Sequence, residues 1–136
     1  MNPDLPKISV ALLAFMDEDG RIMLNRRADA DSEAWEMIGG GIEGDESPDE
    51  AIRREIKEET GYTLKDTADQ LKLVKVFSYK GQQFIAKIYG FTAIYPGKDK
   101  FVDSRETYTD DLEMFTIEEA RKLPLLPMTK LFLGDE

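Results

Sequence analysis

Three consecutive glycines at positions 39–41, a Ser-Pro-Asp-Glu run at 47–50 and a further glycine at 61 confine the middle of this 136-residue chain to one local course. Ser47 is placed as a helix N-cap, Pro48 fills the first helical position, where no N–H is needed, and Glu50 stands three residues after the cap, closing a capping box. Gly61 supplies the left-handed residue that commonly ends a helix. The spacing therefore predicts a helix over 48–60 that follows a glycine loop. Its apolar face is thin, carried by Ala51, Ile52 and Ile56, which suits a helix laid on a sheet. Glu55, Glu58 and Glu59 fall on one arc at the rim of that face. Like charges three and four residues apart cost about 0.2–0.5 kcal/mol per pair. An arrangement that accepts this cost calls for something to offset it.

Around this centre the chain alternates strand and turn signals. Residues 7–15 (KISVALLAF) and 21–27 (RIMLNRR), joined by DEDG, read as a hairpin, and 71–79 with 83–95 reads as a longer one. WEMI at 35–38 reads as a short buried strand running into the glycines, 101–111 as an exposed loop, and 112–115 as a strand. Residues 116–123 read as an amphipathic helix capped by Thr116 and stopped by Pro124, with one or two more helical turns after it. Strands and two principal helices mixed over this length predict a single domain, spanning 1–136, of α/β or α+β class with a mixed sheet.

Composition removes whole classes of chemistry. The chain has no cysteine, which excludes disulfides and thiolate sites, and no histidine, which excludes an imidazole base and a His-ligated zinc. Acid–base work falls to carboxylates, Lys, Tyr or metal-bound water. A net charge of -10 argues against a long nucleic acid or an anionic membrane as partner. A small phosphorylated molecule is compatible with it, because a bound cation inverts the local field. The polar N-terminus and the lack of a long apolar run predict a soluble cytoplasmic protein. Three convergent carboxylates suit a hard divalent cation, magnesium with manganese as a substitute.

The residues from 40 to 62 resemble the Nudix box, G-x5-E-x7-R-E-U-x-E-E-x-G-U, where U is a bulky aliphatic residue. Gly40, Glu46, Arg54, Glu55, Ile56, Glu58, Glu59 and Gly61 each fill their place, Tyr62 stands where an aliphatic residue is usual, and Ile38 stands where Pro is common. The resemblance implies a Nudix-type α/β/α sandwich with a mixed β-sheet between helices. It also implies magnesium-dependent hydrolysis of a nucleoside diphosphate linked to another group. By position, Glu55, Glu58 and Glu59 look like metal ligands, with the Gly39 or Gly40 carbonyl as a further one. Arg54 and Glu46 look like supports holding loop to helix. Glu58 or Glu55 is the candidate proton acceptor, with Glu106 and Asp111 as acids that the later loop could supply. Arg27, at a strand end beside the glycines, is a candidate phosphate contact. Tyr79 stands where the dinucleoside polyphosphate group of the family carries a tyrosine, and Trp35, Phe77, Tyr79 and Phe84 are candidates for stacking on a base. Nucleoside triphosphates, dinucleoside polyphosphates and nucleotide sugars all stay open as substrates. Homodimers are common in the family, so a homodimer stays open too. The alternative is a non-catalytic Nudix-fold module that senses a nucleotide.

Overall fold

Residues 4–27, 33–65, 67–101 and 110–134 are described by the computed structural model. The first apolar run forms β1 (Lys7–Met16), and the DEDG turn delivers the chain into β2 (Ile22–Arg27). Asp17 makes that turn: its Oδ1 accepts the N–H groups of Asp19 and Arg21, both at 2.9 Å, while Gly20 takes a positive φ of 79°. Next come β3 (Ile38–Gly41), α1 (Pro48–Thr60), the hairpin of β4 (Lys72–Lys80) and β5 (Ile85–Ile94), and β6 (Asp110–Phe115). Two short helices, α2 (Ile117–Arg121) and α3 (Pro127–Leu133), follow β6.

The sheet runs β4-β5-β1-β2-β6, with β3 paired to β1. β1 is its axis: it lies parallel to β5 from Lys7↔Ile85 to Met16↔Ile94, and antiparallel to β3 from Val10↔Gly41 to Leu13↔Ile38. Strand alternation then sorts the core into two layers. Ala11, Leu13 and Phe15 pack with Ala51, Ile52 and Ile56 of α1 on one face. Val10, Leu12 and Ala14 pack with Ala120 of α2 and Leu133 of α3 on the other. The result is the expected α/β/α sandwich around a mixed sheet. None of the helices described is long and apolar enough to cross a membrane.

Two expectations shift. The strand predicted over 35–38 is displaced by three residues, so that the glycines are themselves the strand and not a loop. Trp35 and Glu36 form only isolated bridges, to Leu125 and Asn25. The reason is close packing: a Cβ on Gly39, whose φ is 147°, would strike the carbonyl oxygen of Ala11, and one on Gly40 would sit 2.7 Å from the Glu55 carboxylate. Only side-chain-free residues let β3 lie between β1 and α1 at this distance. Trp35, a stacking candidate, is instead a core residue, buried edge-on against Phe115 at 5.1 Å.

Candidate active site

The helix start works as its sequence dictates. Ser47 Oγ accepts the Glu50 N–H at 3.1 Å, Glu50 Oε1 accepts the Ser47 N–H at 2.9 Å, and Gly61 ends α1 at φ 78°. This fixes the rotation of α1, and with it where residues 54, 55 and 58 point. Arg54 is the hub. Its Nε donates to Glu46 Oε2 at 2.6 Å and its Nη2 to Glu46 Oε1 at 3.0 Å, a bidentate pair. Nη2 also donates to the Gly41 carbonyl at 2.9 Å, so one side chain ties helix, β3 and the intervening loop together. Nη1 donates to Glu55 Oε2 at 3.0 Å and to Glu58 Oε1 at 3.4 Å.

The electrostatics follow from those contacts. The Arg54 guanidinium, helped by the Glu43 N–H at 2.9 Å, holds the Glu46 carboxyl down at about 2. The guanidinium is itself pushed above its ordinary range, first by Glu46 and then by Glu55. Glu55 is packed over Gly40 with 14% of its side chain exposed, whereas Glu58 is 59% exposed. Glu59, half-buried, follows on the same arc. No set of three acidic groups among the described residues is gathered closely enough to hold an ion. What the structure does show is Glu55 and Glu58 both reaching one nitrogen of a cation, so a single positive centre is within range of both carboxylates. Anionic oxygens beside a backbone strand form a hard donor set, and that set fits a magnesium-like ion.

On the opposite face of the sheet a cavity of about 290 Å³ opens beside Leu12, Met37, Tyr79, Phe84, Met128 and Thr129. Thr129, buried, takes the Met37 N–H on its Oγ1 at 2.9 Å, which pins α3 to the segment leading into β3. Tyr79 thus lines a cavity, its ring edge-on to Phe84 at 6.2 Å, whereas Phe77 packs against Phe132 at 6.4 Å. Arg27 closes β2 opposite Asp110, and Asp111 pairs with Arg26; for Arg27 and Asp111 only the backbone is described. Glu106 lies outside the described residues. Sequence reasoning passed over Glu43, which lies 3.7 Å from Arg54 Nη1, and the α3 wall of the cavity. Glu43 had a visible signal in its place between Gly41 and Glu46. The α3 wall had none, because its approach is set by tertiary packing.

The family model described as NUDIX domain matches residues 5–132. A MutT-like protein of Streptomyces ambofaciens is 45% identical over 60 residues, 44% of this chain and 37% of that protein. An RNA pyrophosphohydrolase of Sphingopyxis alaskensis is 42% identical over 57 residues, 42% of this chain and 36% of that protein. The chain's matched segment thus spans little more than a third of each relative. Among solved structures, a MutT Nudix hydrolase from Burkholderia pseudomallei superposes with a TM-score of 0.71 at 25% identity, covering 93% of this chain and 95% of that one.

Proposed function

Because the chain belongs to the Nudix domain family, we propose that it is a pyrophosphohydrolase that adds water across a phosphoanhydride of a small nucleotide with the help of magnesium. The observation that carries this reading is the convergence of Glu55 and Glu58 on one cationic nitrogen beside the Gly40 backbone. Glu55 and Glu58 would hold the ion and Glu59, on the same arc, would turn in as the third carboxylate, with the Gly39 or Gly40 carbonyl as a further oxygen donor, and manganese would substitute. A bound divalent cation supplies charge neutralisation at the phosphate oxygens and makes water more acidic.

The chain's own residues do the rest. Arg54 positions Glu55 and Glu58 while Glu46 holds Arg54, so the carboxylates are pre-set rather than searching. Glu58, the more exposed of the two, accepts the proton of the attacking water. A new bond forms between the water oxygen and phosphorus as the bridging phosphoanhydride bond breaks, and the phosphate on the far side leaves. The cavity beside Met37 and Tyr79 takes the flat, apolar face of the base. Arg27 is the proposed phosphate contact and Tyr79 a wall of the base site. Glu106 and Asp111 are the acids proposed as an extra base or ligand.

The test is turnover of a panel of nucleoside triphosphates, dinucleoside polyphosphates and nucleotide sugars, with a 5′-triphosphorylated RNA alongside. Glu58→Gln should lower kcat by about 10²–10⁴-fold, the usual contribution of a general base, with KM little changed. Unchanged turnover in Glu58→Gln would remove the base assignment, and no turnover on any substrate would favour the nucleotide sensor.

A further inference from the structure

The net charge of -10 conceals a segregation. Residues 70–98 contain five lysines and no aspartate or glutamate. They build β4 and β5, and the register sets out what one face of these strands and β1 presents. Lys80, Ile85 and Lys7 form one row across the three strands, Ser78, Lys87 and Ser9 the next, and Val76, Tyr89 and Ala11 the third. This is the α1 side of the sheet, since Tyr89 packs with the Ala11 and Phe91 layer. Helix α1, however, lies over β1 and β3, and leaves the outer strands open on that side. Lys7, Ser78, Lys80 and Lys87 are exposed, Val76 is 46% exposed, and Lys87 Nζ stands 5.4 Å from the centre of the Tyr89 ring.

Where this face meets the loop after β3 there is a cavity of about 570 Å³, lined by Lys7, Ser9 and Tyr89 on the strand side and by Ile42, Gly44, Glu46 and Pro48 on the loop side. Of the acids on that loop, Glu46 gives both oxygens to Arg54, while Glu43, 3.7 Å from the same guanidinium, and Asp45 leave the loop side acidic, so the cations of this face are those of the strands. The cavity is separated from the one beside Met37 by the sheet itself. Lys7, Ser9 and the Tyr89 ring in the cavity, with Lys80 and Lys87 beside them on the same face of the strands, match a molecule that has both a phosphate group and a flat ring.

We propose that this face is a second binding site, for a phosphorylated molecule the size of a nucleotide, with the phosphates on Lys7, Lys80 and Lys87 and the ring between Tyr89 and the 42–48 loop. The site borders the Arg54 cluster through Glu46 and Gly41, but its lysines belong to the strands and to none of the hydrolase roles, so it does not rest on that reading. The probe is ATP, titrated into the full chain without divalent cation while backbone amide shifts are followed by NMR. Two groups of shifts are expected, one around Met37 and Thr129 and one around Ser9, Ile42, Gly44, Lys87 and Tyr89. In Lys7→Ala/Lys87→Ala the second group should need about tenfold more ATP, the loss of roughly one charge-assisted contact, while the first titrates as before. Glu58→Gln should keep both groups. Shifts confined to the Met37 side, or a double variant that titrates like the parent, would overturn the site. Both lysines are exposed, so the variant keeps its fold, which the unmoved first group verifies in the same experiment.

Discussion

Arg54 engages Glu46, Gly41, Glu55 and Glu58 at once, and this division of labour can be tested one residue at a time. A lysine carries the same charge but lacks the planar fork that grips Glu46 bidentately. Arg54→Lys should therefore fold and bind substrate, yet lose kcat on the order of 10²-fold, the effect of carboxylates held about an ångström out of place. Steady-state kinetics with a separate KM reads this, and an unaltered kcat would show that Glu55 and Glu58 need no positioning. Glu46 makes a pH prediction. Its folded carboxyl titrates at about 2 against an ordinary value of 4.5, so the unfolded chain takes up this proton first as pH falls. The stability it contributes is fully present above about 4.5 and is lost as pH falls towards about 2. Denaturant midpoints of the parent and Glu46→Gln should differ by a constant amount at neutral pH and converge across that acid window.

The elements divide by how local their cause is. Helix α1 is fixed by its own residues, and Ser47→Ala should cost about 1 kcal/mol in a denaturant titration through loss of the cap. The three glycines of β3 give a sharper contrast, because their neighbours differ. Gly39→Ala drives a methyl into the Ala11 carbonyl from a backbone conformation that alanine resists, and should destabilise the fold by at least the 1–3 kcal/mol typical of overpacking. Gly40→Ala meets only the end of the Glu55 side chain, at 2.7 Å, which can swing aside. It should keep most of its stability and lose activity instead. If both variants unfold alike, the two glycines are not separable in this way. The same contrast explains what could be read in advance. Caps, terminal glycine and acid spacing are local signals, so α1 and the Arg54–Glu58 turn were legible, whereas the Glu46 contact was legible only through the resemblance to the Nudix box. That Gly39–Gly41 form a strand was not, because glycine has low strand propensity and the pairing comes from β1, distant in sequence. Tyr62 shows a third case. The aromatic residue in an aliphatic place is explained only by its neighbours: its ring lies 6.4 Å from Phe15 and 6.3 Å from Phe101, and its hydroxyl donates to the buried Asp69 at 2.8 Å.

Across the whole molecule, the sequence carries layers more readily than connectivity. Alternation along β1 dictates two apolar faces, and hence a sandwich, but its parallel match to β5 depends on chain segments some seventy residues apart. Charge behaves in the same way. The separation into an acidic α1 region and an acid-free stretch over 70–98 is written along the chain, but only the assembled sheet sets the lysine rows of β4, β5 and β1 on the face that carries α1. The compact state therefore carries self-repulsion centred on the carboxylates of α1. An ion bound there acts on stability twice: it relieves that repulsion, and it favours the folded state by mass action, about 2.7 kcal/mol at a hundredfold excess over its Kd. Magnesium chloride should raise the thermal midpoint well beyond sodium chloride at equal ionic strength, since screening alone is common to both salts. In Glu55→Gln/Glu58→Gln the sodium response should remain and most of the extra magnesium response should vanish. A double variant that gains as much from magnesium as the parent would move the ion off these carboxylates, and with it the reason for aligning them on one helix arc.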